Sequence, residues 1–264
     1  MSSDWPAQAM LACVSASPEA VAAHDRAAWL GLFAENAEIH DPVGSRPHAG
    51  PAAIACFYDT FIAPNTIHFE VAHELACGDS VARDVIIHTR MATGLELGVP
   101  AHIRYELTGS EDALRVRRLC AHWELPQMIG QSLRAGMKGM RSHAALSSHM
   151  LRHQGLGGML GFMRGFGGVG SRGKARAEGC LRALRDGHRN GLKQCLGEPC
   201  RIDLPGQPTA STQELGAELG GLFWEKLIAA GDYVTATIHI GERRGIALFR
   251  FKGPRHIEQL RIYI

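Results

Sequence analysis

Ile39-His40-Asp41-Pro42-Val43-Gly44-Ser45-Arg46-Pro47-His48-Ala49-Gly50, followed by Ala53-Ile54-Ala55-Cys56-Phe57-Tyr58, carries the reading of this chain. A short apolar strand over 38–40 runs into a Pro/Gly turn, and Asp41 stands at the junction. The spacing of Ile54, Phe57, Tyr58 and Phe61 predicts a helix over 51–61 with one apolar face. Asp before Pro is a common turn-starting pair. A carboxylate at the mouth of an apolar pocket is also a base suited to proton transfer. The segment alone leaves both readings of Asp41 open.

Upstream, Ser17-Pro18-Glu19 reads as a helix N-cap followed by Pro at the first helical position. That helix is expected to run through Trp29, Leu30 and Phe33, with Asp25 marking a bend or a second start. Downstream, strand patterns cover 67–75, 80–92, 102–108 and 114–124, with a turn over 109–112. Helices first and antiparallel strands after imply an α+β fold, a curved antiparallel sheet with helices on one face. The end of the chain repeats the order. Helical patterns over 177–185 and 188–196 precede Arg201-Ile202-Asp203-Leu204-Pro205-Gly206, a worn copy of the opening stretch. A helix over 212–229 and strands over 233–241, 244–251 and 257–264 follow. The expected organisation is a duplicated fold: a first domain over 1–125, a linker over 126–174, and a second, shorter domain over 175–264.

The bulk properties exclude several classes. With 264 residues, 45% hydrophobic and 20% charged, the chain can bury a core as a soluble protein. Its seven cysteines form no C-x-x-C pair, which fits reduced thiols and a cytoplasmic setting. The apolar stretch 9–14 lacks a basic flank and makes a weak signal peptide. No run of eighteen apolar residues occurs, so no membrane span is expected. The net charge of +2 conceals a segregation. Between Leu125 and Ala177 there are eight Lys/Arg and no Asp or Glu, whereas the remainder has 20 basic and 26 acidic residues.

The stretch Ala34-Glu35-Asn36-Ala37-Glu38-Ile39-His40-Asp41-Pro42-Val43-Gly44, with His48-Ala49-Gly50, Phe57-Tyr58 and Ala121-His122-Trp123, resembles the ketosteroid isomerase branch of the nuclear-transport-factor-like (SnoaL-like) superfamily. The resemblance covers roughly 18–125. It implies a cone-shaped domain around a deep apolar pocket, with Asp41 as the base that moves a proton between two carbons of a steroid enone. It also implies a neutral hydrogen-bond donor at the enolate oxygen, in this family a Tyr on the first helix and an Asp kept protonated by its apolar surroundings. Counting back from Trp123 without gaps puts Glu106 at the acid's place. Ser17 falls near the Tyr, and no Tyr occurs in the first 57 residues. Strand alternation puts His102 and Arg104 on the same face as Glu106. The isomerase reading therefore needs Arg104 outside the pocket, and it needs Asp41 and Glu106 in one apolar cavity. Phe57, Tyr58 and Trp123 are the expected pocket walls.

Other chemistries find less support. The fourteen histidines offer no metal-ligand spacing with a carboxylate partner, so no metal is expected. Gly-x-Ser-x-Gly is absent. The glycines of 165–170 follow no strand and lack a ribose-binding acid, which excludes a dinucleotide loop. No cofactor is expected, because a carbonyl is its own electron sink. Asp203 matches Asp41, but 245–251 offers no acid at the place of Glu106. The second domain is expected to pair with the first sheet to sheet, with further dimerisation left open.

The block 126–174 holds twelve glycines and six of the nine methionines. Ile129, Leu133, Met137, Met140 and Ala144 recur at helical spacing among Arg134, Lys138 and Arg141. It reads as a packed linker, as a Met-rich cover over the pocket, or as a basic element making weak contact with an anionic membrane. Sparse aromatics among the cations argue against nucleic acid. The functional expectation is a steroid delta-isomerase-like enzyme with Asp41 as base, neutral Glu106 as oxyanion donor and a small apolar, steroid-like ligand. A SnoaL-like cyclase or dehydratase, or a non-catalytic carrier of an apolar ligand, are the alternatives.

Overall fold

A computed structural model describes residues 5–205, 219–253 and 255–264. The chain opens with α1 (Ala7–Ala22) and α2 (Arg26–Gly31). The first helix starts ten residues before the expected Ser17 N-cap. Met10 and Val14 are buried, and this added contact carries the helix through Pro18, which lies inside it. Asp25 is the second start: its carboxylate accepts from the Ala28 N–H at 2.9 Å. Phe33 begins β1 (Phe33–His40) rather than ending the helix. After the Asp41–Gly44 turn, in which Asp41-Pro42 is cis, come β2 (His48–Ala49) and α3 (Gly50–Phe57), with Pro51 in its first turn. A single wide π-type turn over Tyr58–Ile62 then leads to the sheet.

Four long strands follow: β3 (Asn65–Cys77), β4 (Ser80–Met91), β5 (Glu96–Thr108) and β6 (Arg115–His122). The sheet order is β2-β1-β6-β5-β4-β3, antiparallel throughout except that β1 runs parallel to β6. Side chains on one face meet α1, α2 and α3 in the first core, around Trp29, Phe57 and Tyr58.

The block after 125 forms α4 (Leu125–Arg134) and α5 (Met137–Met163). Gly136, at φ +60°, separates them, and Gly155, at φ +67°, breaks α5 internally. Then α6 (Gly170–Arg185), α7 (Arg189–Cys195) and β7 (Leu196–Asp203) lead to β8 (Phe223–Ala230), β9 (Tyr233–Ile240), β10 (Arg243–Phe251) and β11 (Ile257–Tyr263). The second sheet has the order β7-β11-β10-β9-β8, with β7 parallel to β11. This repeats β1-β6-β5-β4-β3, so the fold is duplicated. The helix expected over 212–229 is corrected at its end, since 223–230 is strand; 212–218 lies outside the described residues. Pairing with β9 overrides a helical pattern that Leu222, Leu227 and Ile228 also satisfy.

The two sheets meet face to face through a polar seam. Asp84 is fully buried and binds Lys226, the Thr237 hydroxyl at 2.7 Å and Arg244 at 3.0 Å. His102 is bracketed by Thr235 at 2.7 Å and Thr237 at 3.0 Å. Because Thr237 donates to Asp84, its oxygen accepts from His102 Nε2, so Nδ1 accepts from Thr235. Burial pushes the His102 pKa down to about 4, Asp84 opposing the shift and Lys226 and Arg244 adding to it, so the ring is neutral. The motif glycine also serves this junction. A Cβ on Gly44 would lie 2.6 Å from the Gly231 Cα in the β8–β9 turn, and both residues have positive φ.

Removing Asp84 leaves Lys226 without its carboxylate and Arg244 with only the half-exposed Glu225 at 3.3 Å. Asp84→Ala is expected to cost about 3–5 kcal/mol of stability, read by urea denaturation. Burial raises the Asp84 pKa, but Lys226, His102 and Thr237 outweigh it and the net shift is downward. The seam's contribution is therefore complete above the unfolded carboxyl's pKa and is lost as pH falls through the lower, folded value.

Candidate active site

Between the first sheet and its helices lies a cavity of about 160 Å³. One water needs roughly 10–15 Å³ on this measure, so there is room for a multi-ring ligand fragment. Its walls are mainly apolar: Phe57, Phe61, Ile67, Phe69, Ile87, Met91, Leu97, Val99, Ile103 and Leu119. Trp123 lines it as well. Tyr58 does not line the cavity. It is buried beside Trp29, ring centroids 5.4 Å apart, because one residue after Phe57 the helix has turned by about 100°.

Asp41 lines the cavity from the end of β1. Its Oδ1 accepts from Trp123 Nε1 at 2.6 Å, and among the described residues Oδ2 has no hydrogen-bond partner. Burial raises the carboxyl to about 6, partly opposed by the Trp123 hydrogen bond. A carboxylate this basic, with one oxygen held and the other facing an apolar space, is poised to take a proton near neutral pH.

Glu106 is not in this cavity, and the expected oxyanion role is corrected. It lies on the opposite face of β5, ion-paired with Arg104, with Arg117 at 3.0 Å and with Arg118 at 3.1 Å. Burial pushes its carboxyl up, but Arg104, Arg118 and Arg117 outweigh that and hold it below the usual carboxylate range. An ionised, triply paired carboxylate cannot donate a hydrogen bond. The ungapped count fails at a bulge. Glu106 pairs with Arg118 but Leu107 pairs with Val116, so Arg117 is an extra residue on β6. In a strand, one residue of error exchanges the two faces.

The residue that does face the cavity is Tyr105. It is buried, and burial raises its pKa against the opposing influence of Arg83 and the Ser17 hydroxyl, so it is a neutral donor. Ser17, also on the cavity wall, accepts from Trp29 Nε1 at 3.2 Å. Tyr105 thus supplies a phenol from the sheet, whereas the family resemblance places one on the first helix. The alternation of 103, 105 and 107 could have revealed it, given the correct strand face.

The mouth is covered by α4 and α5, from which Met128, Ser132, Ser142, His143, Leu146 and Phe162 reach the cavity. Met128 is the one methionine of this block on the cavity wall, and Met137, Met140 and Met163 are exposed. The second unit differs at each corresponding point. Asp203 is bound by Arg201 at 2.7 Å, Gln259 and Arg261 at 3.2 Å, and its pKa is lowered. Leu181, Leu184, Phe249 and Leu260 are buried together in the core of the second unit. Among the described residues, no group of three or more His, Cys, Asp or Glu is placed to hold a metal ion.

The family model described as SnoaL-like domain matches residues 14–125. No curated protein matches the chain. Similar solved structures include the Delta 5-3-ketosteroid isomerase from Mycobacterium sp., 24% identical over 45% of this chain and 95% of that one, with TM-score 0.42. A Mycobacterium tuberculosis protein solved with estradiol-17beta-hemisuccinate is 25% identical over 46% of this chain and 96% of its own, with TM-score 0.42. A putative polyketide cyclase from Xanthomonas campestris is 20% identical over 47% and 96%, again with TM-score 0.42. From the motif at Asp41 to Trp123, just past the end of β6, residues 14–125 match the SnoaL-like domain, and α4 and α5 complete the cavity wall from beyond that match.

Proposed function

We propose that the cavity catalyses a proton shift α to a carbonyl in a flat, apolar, steroid-like substrate. The observation that carries this reading is Asp41: a carboxylate in an apolar cavity, raised to about 6 and hydrogen-bonded on one oxygen only. Asp41 Oδ2 takes the proton from the α-carbon. The carbonyl oxygen, becoming an enolate, accepts from the Tyr105 hydroxyl, with Ser17 beside it. Asp41 then returns the same proton to another carbon, so one double bond moves and nothing is oxidised or reduced. Trp123 fixes the carboxylate, and the apolar walls exclude the water that would compete for the proton.

The test is conversion of a Δ5-3-ketosteroid to the conjugated Δ4 enone, followed by the new ultraviolet absorbance. The base must be ionised to act. Accordingly kcat/KM is expected to rise with pH through about 6 and then level off. A profile flat across that range removes Asp41 as the titrating base. The absence of Glu106 from the cavity favours a second reading, a carrier of an apolar ligand. Tight steroid binding with no turnover in the wild type, and none by Asp41-dependent cyclisation or dehydration, assigns that role instead.

A further inference from the structure

The cover over the cavity has a second face. Ser142, His143, Leu146 and Phe162 point inward to the cavity. On the outer side of the same helices Leu133, Met137, Met140, Leu156, Leu160 and Met163 are each more than half exposed to solvent. Leu156, Leu160 and Met163 are spaced four and three residues apart, one stripe along the last turns of α5. Between these side chains stand Arg134, Lys138, Arg141, Arg152 and Arg164, all exposed. Among the described residues none of the five has an acidic partner within ion-pair distance. No Asp or Glu occurs anywhere from Leu125 to Ala177, although the rest of the chain carries an acidic excess.

The exposed aliphatic side chains are costly in water, whereas the exposed cations among them in the sequence are solvated there and open to an anionic partner. A protein core would take the aliphatics and leave the cations unmatched. Nucleic acid would pair the cations but stack on several aromatics, of which this block exposes Phe166 alone. An anionic lipid surface takes both at once, the aliphatics at the acyl boundary and the cations among the headgroups. We propose that the outer face of α4 and α5 docks the protein on an anionic membrane surface, bringing the cover of the apolar cavity against the lipid. No helix among the described residues is long and apolar enough to cross a membrane, so the contact is interfacial. The proposal is independent of the chemistry at Asp41, since a carrier would use the same surface.

The experiment is co-sedimentation of the full chain with phosphatidylcholine vesicles, with and without phosphatidylglycerol. Binding is expected with phosphatidylglycerol, to weaken as salt is raised, and to be much poorer on phosphatidylcholine alone. Each cation near the surface contributes about a fivefold factor in partitioning, so replacing Arg134, Lys138 and Arg141 together by Gln is expected to lower it about a hundredfold. Leu156→Asp with Leu160→Asp should abolish it, with an unchanged circular dichroism spectrum because both side chains are exposed. No binding to phosphatidylglycerol vesicles, or binding that both variants leave intact, overturns the proposal. So does a concentration-dependent dimer that the Leu156/Leu160 variant dissociates while wild type ignores vesicles, which would assign the face to a second copy of the chain.

Discussion

Asp41→Asn is expected to abolish isomerisation while leaving steroid affinity within a few-fold of wild type. General-base catalysis contributes typically about 10²–10⁴ in rate, and Asn keeps the shape and can still accept from Trp123 Nε1 but cannot take a proton. The same substitution is expected to stabilise the protein. The folded carboxyl is held at about 6 rather than the ordinary 3.8. Between those values the folded state binds the proton more tightly than the unfolded one, so stability falls as pH rises through that window. At neutral pH the ionised, buried group therefore costs about 1–3 kcal/mol, which a neutral amide avoids. Loss of turnover together with a raised melting temperature separates a lost base from a damaged fold. Unchanged turnover in Asp41→Asn would remove the base assignment altogether.

Tyr105→Phe carries the second large effect. Deleting one donor at a developing oxyanion costs about 2.7–4 kcal/mol, or roughly 10²–10³ in kcat. Because the bond strengthens only as charge develops, kcat is expected to fall with little change in KM. Glu106→Gln supplies the contrast. Its side chain lies across the sheet among Arg104, Arg117 and Arg118, so turnover should persist while denaturant resistance falls. The opposite pattern, with Glu106→Gln inactive and Tyr105→Phe active, would restore the two-carboxylate arrangement and refute the phenol.

Much of the first unit was legible from residue patterns. Asp41-Pro42-Val43-Gly44 and the apolar stripe of Ile54, Phe57 and Phe61 mark a strand–turn–helix passage because turn chemistry and helical spacing act over a few residues. The long strands read clearly because their two faces meet different surroundings. Tyr58 leaves the cavity because it follows Phe57 by one helical residue, about 100° around the axis, which turns it toward Trp29. The Ser17-Pro18-Glu19 cap was misread because burial of Met10 and Val14 overrides a local start signal. The strand at 223–230 gave a helical pattern because an apolar segment of that length satisfies both periods until a neighbouring strand chooses.

What the sequence by itself determined was the duplicated α+β fold, the position of Asp41 and the segregation of charge into 126–174. Each rests on local spacing or on composition, which folding does not alter. Only the tertiary structure decided which carboxylate enters the cavity, which residue opposes it, and that α4 and α5 close over the mouth. Arg117 is an extra residue on β6, and a count back from Trp123 without gaps carries that one residue as an error onto Glu106. Arg104 and Glu106 are buried on the other face of β5, and Tyr105 faces the cavity with Asp41 and Ser17.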